Sequence, residues 1–184
     1  MKNDLKKWLG EMGEKFLRKV GIREGQVVLD FGCGSGNYTI PAAKIVGSRG
    51  IVYALDKDAR VLDELMRRAE LEELENIRRI DTSGEVETRL DDNSVDVVLL
   101  YDIFWYFPPW KPKLTKLLTE IYRILKPNAL LSVLPKHVDQ TKLKNKIEEA
   151  GFKLKNDFFE TVIHDGVLEE GHVLNFIKTQ RPNS

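Results

Sequence analysis

Three glycines and an aspartate stand in a pattern that suits a nucleotide-type cofactor. The run Val27–Phe31 is apolar except for Asp30, and Gly32, Gly34 and Gly36 follow it directly. Such a run predicts a buried strand, and closely spaced glycines predict a tight turn that lets the backbone approach a ligand. The segment after the turn predicts a helix, whose first free amides attract electron-rich ligand groups. We therefore expect a cofactor site at the mouth of a parallel sheet.

The spacing of these glycines separates two classes of cofactor. Their pattern is G-x-G-x-G, whereas the dinucleotide fingerprint G-x-G-x-x-G requires a glycine where this chain has Asn37. A second apolar run, Ile51–Leu55, ends at Asp56. That acid lies about 20 residues beyond the turn, where a carboxylate accepts hydrogen bonds from both ribose hydroxyls. A carboxylate there disfavours a 2′-phosphate, so an NADP-type ligand is not expected.

At these residues the chain resembles the class I S-adenosylmethionine-dependent methyltransferases. Leu29–Gly36 resembles the first motif of that family and Ala54–Asp56 resembles its second. The resemblance runs from roughly Glu24 to Phe176, and it is strongest to small, insertion-free members, whose substrates are often small molecules. It implies S-adenosyl-L-methionine as the cofactor. The cofactor-binding residues that follow are Asp30, Gly32, Gly34, Gly36, Asn37, Asp56, Lys57, Asp81, Thr82 and Tyr101.

Two polar residues after the third predicted strand, Asn76–Ile80, have two interpretations. In the family that the chain resembles, a polar or acidic residue at this point receives the adenine amino group. Asp81 would accept that hydrogen bond, and Thr82 would supply its backbone N–H. The same residues suit an ordinary turn or an N-cap for Ser83–Thr88. Both interpretations remain open from the sequence.

Five aromatic residues lie from Phe104 to Trp110, directly after the fourth predicted strand, Ser94–Leu100. That strand is apolar enough to be buried on both faces, and ligands of open α/β sheets bind at the carboxyl ends of strands. The cluster predicts an apolar substrate pocket or an aromatic box near the sulfonium. The alternative is a hydrophobic plug over the sheet. The predicted pocket residues are Phe104, Trp105, Tyr106 and Trp110.

The chemistry that the resemblance implies sets few demands on catalytic side chains. Methyl transfer from a sulfonium is an in-line displacement with a neutral leaving group, so a base is required only where the acceptor must lose a proton. The candidates for such a base are Tyr101, Asp102, Tyr106 and His137. His164 lies in the terminal hairpin region. The three histidines and one cysteine have no metal-ligand spacing, so no metal site is expected.

Alternating apolar strands and amphipathic helices predict an α/β fold, a doubly wound Rossmann-like sheet. Phe152–Val162 and His172–Thr179 follow one another without a helix, around a loop that contains Gly166 and Gly171. They predict an antiparallel pair. A terminal antiparallel hairpin matches the seven-stranded methyltransferase order 3-2-1-4-5-7-6 with strand 7 antiparallel. A dinucleotide domain would end in a sixth parallel strand.

The length predicts one domain over residues 1–184. Apolar residues spaced three and four apart over 4–20 predict a helix within a segment, 1–22, that caps the sheet or the site. Simple packing, a lid over the substrate and a phosphate-attracting surface are its three interpretations. Cys33 suits a small residue in a tight turn, with a reactive thiol as the alternative. Residues 181–184 predict a frayed tail.

The charge balance bears on the partners. Lys plus Arg and Asp plus Glu number 29 each, without the basic excess that usually marks a nucleic-acid partner. No apolar run approaches the roughly 20 residues of a membrane span. We therefore predict a cytoplasmic methyltransferase that acts on a small or apolar acceptor, with no membrane partner and an undetermined oligomeric state. The alternatives are a methyltransferase for protein or RNA, a nicotinamide oxidoreductase and a non-catalytic module that binds S-adenosylmethionine.

Overall fold

A computed structural model describes residues 2–179, and the predicted tail at 181–184 lies outside them. Seven strands form one sheet with helices on both faces. The strands are β1 (Val27–Phe31), β2 (Ile51–Asp56), β3 (Ile77–Asp81), β4 (Val95–Tyr101), β5 (Leu125–Leu134), β6 (Phe152–His164) and β7 (Val167–Lys178). The helices are α1 (Lys2–Lys7), α2 (Gly13–Val20), α3 (Thr39–Val46), α4 (Ala59–Leu71), α5 (Pro112–Ile124) and α6 (Gln140–Glu149), with a π-helical segment at Trp8–Met12 between α1 and α2.

The strand order is β3-β2-β1-β4-β5-β7-β6, which confirms the predicted topology. β1 pairs in parallel with β2 and with β4, so the chain leaves β1 at the point where the strand order reverses. Only β7 runs against its neighbours: it pairs antiparallel with β5 and with β6. Crevices at such reversal points are where open α/β sheets bind ligands. The glycine turn therefore stands at the place where this fold class builds its site.

Two apolar layers fix the sheet. On one face, α2, α3 and α4 bury side chains such as Leu17, Ile40 and Leu65. On the other face, α5 and α6 bury Leu117 and Ile147. Residues at helical spacing supply both layers, because an amphipathic helix can shed water from one stripe only by packing it on the sheet. The result is the doubly wound arrangement that the alternating pattern predicts.

The N-terminal helix packs on the sheet and against the start of α3. Trp8 is fully buried, and its indole N–H donates to the backbone oxygen of Asn37 at 2.7 Å. Phe16 lies against the Tyr38 ring, and Asn175 of β7 donates to the oxygen of Val20 at 3.2 Å. These contacts show that the helix packs on the sheet, and a role as a lid over the substrate stays a prediction.

The terminal hairpin is longer than predicted. β6 continues to His164 and β7 begins at Val167, so a two-residue turn replaces the loop expected around Gly171. Asp165 and Gly166 both have positive φ, 48° and 76°, as a tight two-residue hairpin turn requires. Gly171 lies inside β7, where an added Cβ would stand 2.6 Å from Val162. That glycine marks a close approach within the sheet rather than a loop.

Candidate functional site

The carboxylate of Asp56 is held by backbone amides. The N–H of Gly34 donates to Asp56 Oδ2 at 2.9 Å, and the N–H of Asp58 donates to Asp56 Oδ1 at 3.0 Å. An ionised carboxylate offers about four acceptor positions, so about two remain for donors of a ligand. The first glycine turn and the end of β2 are thereby tied together at the residue predicted to bind ribose.

Gly34 and Gly36 have different structural roles in the turn. Gly34 has φ 52°, and a Cβ added to it would meet nothing within 4 Å, so a side chain there would project into open space. Gly36 has φ 88°, and a Cβ there would collide with Leu65 of α4. Both positions require a residue that accepts positive φ. Gly34 keeps a space clear beside the turn, whereas Gly36 lets the turn approach α4.

Asp30 lies beneath the turn rather than in its open face. It is 2% exposed, and its Oδ2 accepts a hydrogen bond from the hydroxyl of Thr39, the first residue of α3, at 2.6 Å. Burial raises the pKa of Asp30 to about 7, while the bond from Thr39 opposes the shift and the charge of Asp56 adds to it. A direct contact between Asp30 and a cofactor stays a prediction.

A cleft of about 450 Å³ opens at the carboxyl ends of β1, β2 and β4. The predicted residues that the fold brings together in its wall are Gly32, Gly34, Asp56, Lys57, Thr82, Asp102 and Tyr106. The wall also contains Leu55, Val61, Ile103, Phe107 and Lys113, which the prediction omits. Ile103 and Phe107 lie in the loop between β4 and α5 rather than in a helix, so no periodicity in the sequence pairs them. A larger depression of about 520 Å³ lies at the opposite end of β2, around the turn 47–50.

Asp81 and Tyr101, two other predicted cofactor residues, lie outside the wall, and Thr82 lines it with its amide already bonded. Arg79 holds the Asp81 carboxylate at 2.6 and 2.7 Å, and these bonds lower the pKa of Asp81. The N–H of Thr82 already donates to the Asp56 backbone oxygen at 3.2 Å, so this amide is not free for adenine. The segment 82–85 forms a turn that lines the cleft, and residues 83–88 form no helix. Tyr101 is buried, and its hydroxyl lies 2.7 Å from the Ser132 hydroxyl.

The aromatic residues after β4 divide among three environments. Phe104 is fully buried and is part of the core, as the plug interpretation expects. Tyr106 lines the cleft, with the Lys57 ammonium 4.0 Å from its ring centroid. Trp105 and Trp110 are 67% and 73% exposed, and neither belongs to the cleft wall among the described residues. Of the four residues predicted to form the substrate pocket, Tyr106 is the one in this cleft wall, and a pocket formed by all four stays a prediction.

The polar side chain of Asp102 lies in the cleft wall on the β4 side. Asp102 has φ 55°, and its Oδ1 is buried without a hydrogen-bond partner among residues 2–179. Its Oδ2 lies 3.0 Å from Nδ1 of His164. Burial raises the pKa of Asp102, and His164 opposes that shift. His137, another of the four candidate bases, lies outside the cleft wall, with its Nε2 3.4 Å from Nε2 of His164.

Cys33 is a buried thiol. Burial, followed by the charges of Asp30 and Asp56, raises the pKa of Cys33 far above its ordinary value. This favours the interpretation as a small turn residue over that as a reactive thiolate. Within residues 2–179, no group of three or more His, Cys, Asp and Glu side chains is arranged to hold a metal ion. Over the same residues, every helix is too short or too polar to cross a bilayer.

Curated relatives that match this chain act as methyltransferases. A demethylmenaquinone methyltransferase of Lactobacillus johnsonii is 30% identical over 121 residues, which are 66% of this chain and 48% of that protein. A 2-phytyl-1,4-naphtoquinone methyltransferase of Trichormus variabilis is 28% identical over 124 residues, 67% of this chain and 52% of that protein. The chain thus spans about half the length of these relatives.

A solved structure and a family model complete the comparison. The crystal structure of a SAM dependent methyltransferase from Aquifex aeolicus has a TM-score of 0.75 at 24% identity, over 91% of this chain and 89% of that chain, and so has the same fold. The family model described as "Methyltransferase domain" matches residues 28–128, more than half of the chain and the whole of the glycine turn, β2 and β4. This chain therefore belongs to the methyltransferase domain family, within the class I S-adenosylmethionine-dependent methyltransferases.

Proposed function

We propose that this protein transfers the methyl group of S-adenosyl-L-methionine to a small, apolar acceptor in the cleft beyond β1, β2 and β4. One observation carries the proposal: a single cleft joins a carboxylate held by two amides, Asp56, to an apolar wall that contains Ile103 and Phe107. The first end suits ribose hydroxyls, and the second suits a flat apolar molecule.

The residues present fit the cofactor. Asp56 retains acceptor positions, and the space beside Gly34 is one that an added Cβ would fill. Lys57 and Thr82 complete that end of the cleft. The bound cofactor would supply an activated methyl group attached to a sulfonium. What the chain itself supplies is alignment and the exclusion of water, which are the main demands of an in-line displacement.

The acceptor class rests on the far wall and on the relatives. Phe107 packs on Phe31 with ring centroids 5.9 Å apart, and Tyr106 stands at the edge of the same wall. The relatives are named for demethylmenaquinone and for a 2-phytyl-1,4-naphtoquinone, so a reduced naphthoquinone is the first acceptor to try. The balanced charge supports a small molecule over RNA. We also propose that the chain acts as one domain in the cytoplasm.

Methyl transfer from labelled cofactor tests the proposal. The protein is incubated with S-adenosyl-L-methionine labelled at the methyl group and with 1,4-dihydroxynaphthalene, and labelled organic product is measured. Product is expected with the wild type and is expected to be lost in Asp56→Ala. Label transferred only to protein or RNA from an extract would move the assignment to a macromolecular acceptor. Calorimetric binding of the cofactor with no labelled product from any acceptor would instead identify a non-catalytic binding module.

A further inference from the structure

Three side chains from separate elements meet beside the cleft. Asp102 follows β4, His137 follows β5, and His164 ends β6. These three strands are parallel to one another, so their carboxyl ends share one edge of the sheet. His164 Nδ1 lies 3.0 Å from Asp102 Oδ2, and His164 Nε2 lies 3.4 Å from His137 Nε2. The topology thus places an acid and two imidazoles in one row.

The row runs from the cleft to the surface. Asp102 is part of the cleft wall, with Oδ1 buried and unpartnered among residues 2–179. The His164 side chain is 15% exposed, while His137 is exposed and packs on the Trp105 ring at 5.1 Å between centroids. A buried carboxylate oxygen without a donor is costly unless a ligand supplies one. Asp102 lines the cleft, so a donor from a ligand would satisfy Oδ1 once the side chain turns that oxygen toward the cleft.

Resting on the function proposed above, we propose that Asp102 is the catalytic base and that the acceptor reacts at a hydroxyl whose proton must leave. His164 and His137 are positioning residues. The proton on His164 Nδ1 faces Asp102 Oδ2, and His137 fixes that tautomer by donating from its own Nε2 to His164 Nε2. An acid, an imidazole and a further partner in line are the arrangement by which proteins orient a proton-transfer group.

Methyl transfer proceeds by attack of the acceptor hydroxyl oxygen on the methyl carbon. The bond between the acceptor oxygen and the methyl carbon forms while the bond between that carbon and sulfur breaks, and its electron pair stays on sulfur. The hydroxyl proton passes to Asp102 Oδ1 and later leaves to solvent. In the structure the His164 ring is close to Asp102 but is not aligned with it as a hydrogen bond. Catalytic hydrogen bonds commonly align only when the ligand is bound.

Other charged groups face this row. Lys136, which pairs with Glu169, acts on Asp102 from the end of β5. Asp165 Oδ2 lies 3.6 Å from His164 Nε2. Tyr38 approaches from α3, and the charge of Asp102 contributes to its raised pKa. Burial outweighs these groups and raises the pKa of Asp102, which brings a carboxyl nearer to the range in which it serves as a base.

The same hairpin supplies a matched control. His172 of β7 lies 2.7 Å from Asp157 of β6 through Nε2, and its Nδ1 lies 2.8 Å from Gln140. Its ring stacks on Phe159 at 4.4 Å, outside the cleft wall. An effect specific to the base should therefore appear at His164 and not at His172.

The first test is the pH profile of methyl transfer to 1,4-dihydroxynaphthalene between pH 6 and 10. At pH 7 we expect kcat to fall by about 100-fold in Asp102→Asn and by about 10-fold in His164→Gln. Both losses should shrink toward pH 10, where a phenolic hydroxyl ionises by itself. His172→Gln should stay within about twofold of wild type. A loss in Asp102→Asn that is equal at every pH would mean a structural role and would overturn the proposal.

The second test needs no turnover. In ¹⁵N-labelled protein, the ring-nitrogen chemical shifts report which nitrogen of each histidine carries the proton. We expect Asp102→Asn to move the His164 proton from Nδ1 toward Nε2 and to leave the His172 shifts unchanged. Asp157→Asn should change the His172 shifts and leave those of His164 unchanged. Unchanged His164 shifts in Asp102→Asn would overturn the pairing. Undiminished turnover in that variant would overturn the base alone, whereas no product with any acceptor would overturn the proposed function as well.

Discussion

The two sides of the cleft are built in different ways. Most of the cofactor side comes from one continuous stretch, β1 to the start of α4, and its central contact joins the Gly34 amide to the Asp56 carboxylate. The side beyond β4 is assembled from side chains that are far apart in sequence, including Asp102, His137 and His164. A local sequence motif therefore predicts the cofactor side, whereas the residues of the side beyond β4 are brought together only by the order of the strands.

The two carboxylates show the same contrast. Asp56 has both oxygens bonded to amides, so its position is set before any ligand arrives. Asp102 has one buried oxygen without a partner among residues 2–179 and one beside an imidazole. We expect changes on the first side to act on cofactor binding and changes on the second side to act on turnover. The predictions below test that division.

Gly34→Val should have the largest effect on the cofactor side. The new side chain would project into the cleft and abolish binding of S-adenosyl-L-methionine, while the chain still folds. Gly166→Val is the control, because Gly166 also has positive φ and open space around it but lies in the hairpin turn. Calorimetry measures the binding and circular dichroism measures the folding. Normal binding by Gly34→Val would show that this turn is not the cradle.

Phe104→Ala should be the largest change in stability among the aromatic residues after β4. Its ring is fully buried, so we expect the free energy of unfolding to fall by about 3–5 kcal/mol. Trp110→Ala, at a residue that is 73% exposed, should change it by less than about 0.5 kcal/mol. Urea denaturation gives both values. Equal losses in the two variants would contradict the division of this cluster into core and surface.

Asp56→Ala should weaken binding of S-adenosyl-L-methionine by about 2–3 kcal/mol, or about 30- to 150-fold, because the ribose hydroxyls lose charge-assisted partners. Asp81→Ala should change the affinity by less than about threefold, since Arg79 holds that carboxylate outside the cleft wall. Calorimetry compares the two variants. A comparable loss of affinity in Asp81→Ala would support the contact between Asp81 and adenine that the family resemblance implies.

Asp30→Asn should have the smallest effect, one that appears only with pH. Burial raises the pKa of Asp30 from 3.8 to about 7, so its contribution to stability is complete below about pH 4 and is lost as the pH rises through 7. Between pH 5 and 6.5 the free energy of unfolding of the wild type should fall by about 2 kcal/mol more than that of Asp30→Asn. Urea denaturation at the two pH values measures this difference, and parallel falls would exclude the effect.

Local patterns predicted much of the fold because each pattern is tied to its own element. The helix predicted after the glycine turn is observed as α3, and Asp58 caps α4 through the N–H of Arg60. The hairpin loop was predicted too long, because Gly171 resembles a turn residue unless the side chain of Val162 is seen against it.

The sequence by itself determined the strands, the glycine turn and the place of Asp56, because backbone conformation and apolar period are properties of short stretches, and the family resemblance supplied the order of the strands. Only the tertiary structure decided which of the five aromatic residues line the cleft, that Arg79 binds the Asp81 carboxylate, and that His164 lies beside Asp102. Those facts depend on which strands become neighbours and where each ends. No short stretch of the chain determines which strands are neighbours, because the neighbours are set when the helices pack on the two faces of the sheet.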